Sequence, residues 1–329
     1  MKIGIFNSAD GNLMNKVKKI LDDLSVDSKI TNDEVMPAEL DFVLVAGGDR
    51  AILNYCHAIK DFTVPIVAIS ESDFTGFLGQ VDVKELDQAI KRLKKNDYEI
   101  DEVYRLSVQV DGKELEPVLN DVAVFPRKSA TLMEYILKVD GRELWHDNSD
   151  GVILSTPIGS TAYCMSAGGP MVLQNSQVFV VVPVNSVDNT RRPIIVPNNA
   201  KLEITDILCR YLCEVVIDGG RRVRVKTNLE CKKYEFPVRF IRFTKNFSAD
   251  LIAKKVKLAE DLLNMPASAK LILKTMEYEG PLSQKDLIKK TLLPERTIRL
   301  SLSHLLNHGY VRKKTSLRDA RQKIYELRI

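Results

Sequence analysis

Apolar positions come in two textures along the chain. Over the first hundred residues, short apolar runs alternate with stretches of helical period. Residues 2–6 (KIGIF) read as a strand, and residues 12–24 carry Leu13, Val17, Ile20, Leu21 and Leu24 at the three-to-four spacing of an amphipathic helix. Residues 41–48 (DFVLVAGG) form a buried strand that runs into glycines. A helix follows over 50–60, a strand over 64–70 (VPIVAIS) and a charged amphipathic helix over 83–95. This βαβ rhythm predicts a parallel sheet covered by helices. From about residue 100, β-type runs recur at close intervals, among them LSVQVDGKEL, LNDVAVFP, GVILSTP, VFVVVPV and EVVIDGG. Asp-Gly pairs at 111–112, 140–141 and 218–219 suit tight hairpins, so this region is expected to form two packed sheets.

Residues 247–263 return to helical period, and Met265-Pro266 marks a joint. Beyond it, helices are expected at about 268–279, 283–290 and 294–308. YVRKKT (310–315) and QKIYELRI (322–329) then form a ribbon across a polar turn at 316–320. Three helices and a hairpin are the order of a winged helix. Charge supports a separate role for this tail. Residues 266–329 hold 14 Lys and Arg against 6 Asp and Glu, whereas the remainder holds 34 against 38. A basic tail on a mildly acidic body suggests a polyanionic partner, with double-stranded DNA as the expectation. Arg296, Thr297, Arg299 and Ser303 would face base edges or phosphates from the third helix. Arg312, Lys313, Lys314, Arg318 and Arg321 would line the wing. Binding to a palindromic site would need a homodimer or a higher homo-oligomer.

Composition excludes other classes. No apolar run reaches the ~18 to 20 residues of a membrane span, and the N-terminus reads as a strand and turn, so no membrane partner and a cytoplasmic location are expected. Cys56, Cys164, Cys209, Cys213 and Cys231 show no CxxC spacing, so they are expected to be buried free thiols, with no metal site. His304 and His308 stand four apart without a third ligand. His57 and His146 are read as isolated, with no special role.

Three segments carry chemistry. Gly47-Gly48-Asp49 ends a strand and opens a helix, where glycine amides and the helix start favour phosphate. Asp49 is the candidate general base for a sugar hydroxyl. Asn120-Asp121 pairs an amide with a carboxylate, suited to an adenine edge and a ribose diol. The run from Ser155 to Tyr163, with Ser166-Ala167-Gly168-Gly169-Pro170 behind it, offers hydroxyls, free amides and an aromatic face for a polar ligand.

In order, GGD at 47–49, GFL at 76–78, LND at 119–121, DG-x5-P-x-GSTAY with SAGGP from Asp150, and IDG at 217–219 resemble the NAD kinase family over about four fifths of the chain. The resemblance implies an α/β, Rossmann-like N-terminal domain of residues 1–98 plus 246–263 and a β-rich sandwich domain at 99–245. An α+β winged-helix domain at 266–329 would follow. It implies an adenine dinucleotide, NAD or NADP, in the cleft between the first two, with ATP and Mg2+ as phosphoryl donor if the chain is an active kinase. The nucleotide set is then Gly47, Gly48, Arg50, Phe77, Asn120, Asp121, Asp150, Thr156, Gly159, Ser160, Thr161, Ala162, Tyr163, Ser166 and Asp218.

The family usually reads GGDGT, where this chain reads Gly47-Gly48-Asp49-Arg50-Ala51. Arginine in place of glycine forbids easy positive φ, and alanine removes a hydroxyl from the phosphate cradle. Phosphoryl transfer depends on positioning and charge, so these changes threaten rate, although Arg50 could itself hold a phosphate. Ile158 replaces the usual threonine, and Ser149 a common glycine. The altered loop and basic tail favour a nucleotide-responsive, DNA-binding transcriptional regulator. The alternative is an active NAD kinase with an accessory tail, and phosphorylation of another hydroxyl substrate stays open.

Overall fold

The structure is a computed structural model, and it describes residues 1–7, 11–31, 39–59, 64–70, 77–245, 247–315 and 323–327. Its first sheet has the strand order Asp27–Thr31, Lys2–Asn7, Phe42–Ala46, Ile66–Ser70, Val238–Arg242, Glu99–Val103, with Val81–Asp82 paired to Ile66–Ser70. All neighbours are parallel except the last pair in the order, Val238–Arg242 with Glu99–Val103. Helices cover both faces. On one, α1 (Gly11–Asp23) buries Leu13, Met14, Val17 and Leu21. On the other, α2 (Gly48–Ala58) buries Ala51, Ile52, Tyr55 and Cys56. The third helix, α3 (Leu86–Lys94), joins α1 and carries Leu86, Ala89, Ile90 and Leu93 into the same cluster. Because both faces are covered, all five residues of Phe42–Ala46 are buried, and the strand reads as an unbroken apolar run.

Residues 106–233 form two six-stranded antiparallel sheets with a shared core. Alternation sets the inward face: Leu106, Val108 and Val110 point in from one strand, and Met133, Tyr135 and Leu137 from another. All three Asp-Gly pairs turn hairpins with both residues at positive φ, as at Asp140 (52°) and Gly141 (76°). The short α4 (Tyr163–Ser166) packs on the outer face of the second sheet, where its Cys164 meets Ile153 and Val180.

One expected boundary moves. Residues 99–103 and 238–242 lie inside the span assigned to the β-rich domain, but their strands complete the first sheet. Local pattern marks them correctly as β; which sheet they join is decided by long-range pairing. The chain crosses between the first sheet and the β-rich body at 104–105 and again at 234–237, and Arg105 at the first crossing is fully buried. It donates to the Cys56 carbonyl at 2.7 Å, the Ile59 carbonyl at 2.9 Å and the Phe236 carbonyl at 3.3 Å, and its guanidinium lies 4.7 Å from the centre of the Tyr234 ring. It thus caps the carbonyl end of α2 and ties both crossover segments to it.

The return helix α5 (Phe247–Asn264) leads into a C-terminal unit of α6 (Ala267–Glu279), α7 (Gln284–Thr291) and α8 (Glu295–Asn307). A three-stranded sheet completes it, ordered Leu282–Ser283, Lys323–Leu327, Val311–Thr315. Its own core joins Ile272, Met276, Leu287, Ile298, Leu302, Leu305 and Tyr325. Ser283 caps α7 in a capping box with Asp286. Among the described residues no helix is long and apolar enough to cross a membrane.

Arg105→Met is expected to leave three carbonyls, that of Cys56 fully buried, without their charged donor. A loss of about 3 kcal/mol or more in denaturant unfolding, with nucleotide affinity falling in parallel, is the outcome that checks this role.

Candidate nucleotide site

The strand Phe42–Ala46 ends at Gly47 (φ 128°) and Gly48 (φ 73°), both in the region that favours glycine, and α2 begins there. Asp49 lies in the first turn. Its Oδ1 accepts from the Phe77 amide at 3.0 Å and the Leu78 amide at 2.8 Å, and Oδ2 accepts from the Phe77 amide at 2.9 Å. The carboxylate is aimed by backbone, and Oδ2 keeps a lone pair for another donor. Gly76, the first residue of the GFL triplet, lies outside the described residues.

Arg50 is not called on to adopt a positive φ. Arg50 is helical with an exposed side chain, and Ala51 is fully buried against the sheet. The turn's positive φ values fall on Gly47 and Gly48, so neither replacement distorts it. Ile158 is likewise an apolar packing residue, buried in the cluster that holds Ile52 and Tyr55. Ser149 is buried and donates to the Gly151 carbonyl at 2.9 Å.

Asp218 organises the second segment. Its side chain is 1% exposed and accepts from three consecutive amides: Leu119 at 3.1 Å, Asn120 at 2.7 Å and Asp121 at 3.1 Å. The remaining partner is His57 Nε2, 2.6 Å from Asp218 Oδ2. Asp218 was expected to face the nucleotide; the structure instead spends its oxygens on holding the 119–121 turn. His57, expected to stand alone, links the last turn of α2 to that turn. No local signal marks it, because its partner lies 161 residues away. Asn120 is half-buried, with its backbone engaged by Asp218 and by the Thr156 amide. Asp121 is buried, and desolvation, aided by the charge of Asp218, pushes its carboxyl up to about 7, while the Tyr163 amide opposes the shift.

The hydroxyl-rich segment divides. Thr156 is buried, donating to the Leu119 carbonyl at 2.5 Å and accepting from the Gly159 amide at 3.2 Å. Ser160 is also buried, donating to the Pro157 carbonyl at 2.7 Å and accepting from the Val172 amide at 2.9 Å. Both side chains staple the loop where an open polar lining was expected. Gly159 is required by contact: a Cβ there would stand 1.9 Å from the Asn120 carbonyl oxygen. Ala162 carries an uncommon backbone conformation (φ −101°, ψ −126°) that opens α4. Tyr163 is 48% exposed and its ring lies 5.7 Å from that of Phe125. Ser166 is exposed, and Asp150 accepts from Asn185 Nδ2 at 2.9 Å.

Sequence reasoning missed Lys255 on α5. Its Nζ donates to the Thr161 carbonyl at 3.0 Å and to Thr161 Oγ1 at 2.5 Å, and lies 4.4 Å from the centre of the Phe77 ring. Desolvation pulls the ammonium down to about 8, and the charge of Asp49 opposes that shift. Among the described residues no group of three or more His, Cys, Asp or Glu could hold a metal ion.

The basic tail is less available than its charge count suggests. Arg296, Arg299 and Ser303 are exposed on α8 and Thr297 is half-buried, but Arg299 pairs with Glu295 at 2.7 Å. In the hairpin, Glu326 takes both Arg312 and Lys314, the latter at 2.6 Å, while Lys313 is exposed. Arg318 and Arg321 lie outside the described residues.

Residues 8–98 match the profile of the ATP-NAD kinase N-terminal domain, and residues 119–242 that of the ATP-NAD kinase C-terminal domain. An NAD kinase of Methanopyrus kandleri is 33% identical over 208 residues, covering 63% of this chain and 75% of the relative. One from Clostridium botulinum is 35% identical over 224 residues, covering 66% and 78%. The crystal structure of an Archaeoglobus fulgidus NAD kinase in complex with ATP superposes with a TM-score of 0.65 at 27% identity, covering 78% of this chain and 98% of that one. Yeast NADH kinase complexed with NADH, at 19% identity and a TM-score of 0.67, shares the fold. These likenesses overturn the expectation of a DNA-binding transcriptional regulator. The relatives are kinases, and of the two features that favoured the regulator, the altered loop keeps an ordinary helical backbone at Arg50 and Ala51, and the basic tail has part of its charge paired at Arg299, Arg312 and Lys314.

Asp121 sets a pH dependence. Its folded carboxyl titrates near 7, against 3.8 for the ordinary group, so between these values the folded chain holds the extra proton. Stability therefore falls as pH rises from about 4 to 7. Relative to Asp121→Asn, the wild type is expected to lose on the order of a few kcal/mol across that window in denaturant unfolding; parallel pH profiles would contradict the assignment.

Proposed function

The chain belongs to the NAD kinase family, and from that premise we propose that it transfers the γ-phosphoryl group of ATP to the adenosine 2′-hydroxyl of NAD, yielding NADP and ADP. The observation that carries the reading is convergence. Asp49 is held by the amides of Phe77 and Leu78, and Lys255, beside Asp49, bonds Thr161 and covers the Phe77 ring. The GGD, GFL and GSTAY segments thus meet at one place, and the 119–121 turn reaches it through the Tyr163 amide facing Asp121.

In this reading the free lone pair of Asp49 Oδ2 accepts the hydroxyl proton as the sugar oxygen bonds to the γ-phosphorus, and the bond to the β-phosphate oxygen breaks to release ADP. Gly47 and Gly48 let backbone amides and the start of α2 approach phosphate, and exposed Arg50 adds a cation at its rim. Asn120 and buried Asp121 recognise the adenosine part, with Tyr163 offering its exposed ring to a base and Ser166 its hydroxyl beside it. Asp150, steadied by Asn185, takes the nicotinamide ribose. Thr156, Gly159, Ser160 and Asp218 act by shaping the loops. Bound to the ATP phosphates, Mg2+ would neutralise part of their charge.

The domains in this reading are the first sheet with its helices and α5, the double-sheet body, and the C-terminal unit. The last, with its helix–strand–helix–helix–hairpin order, is winged-helix in topology and accessory to catalysis.

Purified wild type is expected to form NADP from NAD and ATP, and Asp49→Asn to lose about 100-fold or more of that rate while still binding NAD. Background turnover from both would defeat the proposal.

A further inference from the structure

Both family matches end before α5, yet α5 delivers a lysine to the meeting point of the three segments. The Lys255 ammonium is largely desolvated, rests on the two oxygens of Thr161, and lies over the apolar Phe77 ring. No carboxylate of the described residues forms an ion pair with it; Asp49 acts on it through space. A cation taken out of water without an anion in contact is costly unless one arrives. Two neutral acceptors on one threonine are also a poor reason to place an ammonium there, since any small donor would serve them.

The neighbouring loop gives the cation a task. With Arg50 exposed and Ala51 buried, the GGD turn offers amides and a helix start but no hydroxyl. Resting on the kinase reading, we propose that Lys255 is a phosphate-binding residue of the transfer site, contacting the nonbridging oxygens of the ATP phosphates and stabilising the charge on the phosphoryl group in flight. Thr161 orients the ammonium, and Phe77 lowers the local dielectric, which strengthens its pull on phosphate. Lys254, 5.7 Å from the same ring, is the next cation on the helix.

The test is calorimetric binding of ATP and, separately, of NAD to the full-length wild type, Lys255→Met and Lys255→Arg, with thermal melts to confirm folding. Loss of one charge-assisted contact is expected to weaken ATP binding by about 10- to 100-fold in Lys255→Met, with NAD affinity held and Lys255→Arg restoring much of the loss. Wild-type ATP affinity is expected to fall as pH is raised through about 8, and that fall to vanish in Lys255→Met. Asp49, Lys254 and Asp121 face this region in both proteins, so the difference between the profiles isolates Lys255. Unchanged ATP affinity in Lys255→Met overturns the inference alone, as does equal loss of ATP and NAD without rescue by arginine, which would mark a purely structural clamp on Thr161. A wild type that binds neither nucleotide removes the kinase reading itself.

Discussion

The site depends on one buried carboxylate. Asp218 gathers the amides of Leu119, Asn120 and Asp121 and the ring of His57, so a single side chain joins the β-rich body to the last turn of α2. The same helix starts at the glycine turn that carries Asp49, so its length, about 16 Å for eleven residues, sets the separation between the two ends of the site. Arg105 fastens the carbonyl end of α2 to the crossover segments from the other side. A helix gripped in this way works as a strut, and the positions of Asp49 and Asn120 become a property of the packed core.

The cost of gathering negative charge here falls on Asp121. Three amides and a histidine surround the Asp218 carboxylate, and Asp121 beside it lacks such a set. Burial, aided by the charge of Asp218, therefore holds its proton well above the usual carboxylate range. The small residues of the facing loop serve the same compactness. Gly159 presses on the Asn120 carbonyl, and Thr156 and Ser160 spend their hydroxyls on backbone. The conspicuous run of hydroxyls is mostly internal carpentry: buried Thr161 also donates to the Ile158 carbonyl and accepts from Lys255, and Tyr163 and Ser166 are left exposed.

Much of this was legible in the chain because it follows local rules. Period-two and period-three-to-four patterns marked the strands and helices, the Asp-Gly pairs turned where positive φ was needed, and the glycines at 47 and 48 took the conformations that only they tolerate easily. What stayed hidden depends on distance in sequence. The strands at 99–103 and 238–242 look like their β-rich neighbours, and only pairing assigns them to the first sheet. His57 has meaning only through Asp218, and the pairing of Arg312 and Lys314 in the wing only through Glu326. Hydroxyl direction also escapes a sequence, since Thr156 and Thr161 differ in role while sharing a chemistry.

The departure from GGDGT looks most damaging in the sequence and proves mild in the fold. Positive φ is needed at Gly47 and Gly48, before the altered positions, so arginine and alanine enter α2 as ordinary helical residues. A phosphate cradle made of amides survives such changes, because its donors belong to the backbone. Lost side-chain polarity is then balanced from across the site, where α5 brings Lys255 against Thr161 and Phe77. That helix is anchored along its length: Ser248 accepts from the Gln174 amide at its start, and near its end Asp261 bonds Tyr310 of the C-terminal unit before Met265 enters that unit's core. A lysine on a helix pinned at both ends has little freedom to stray, and the proposed phosphate contact requires that rigidity.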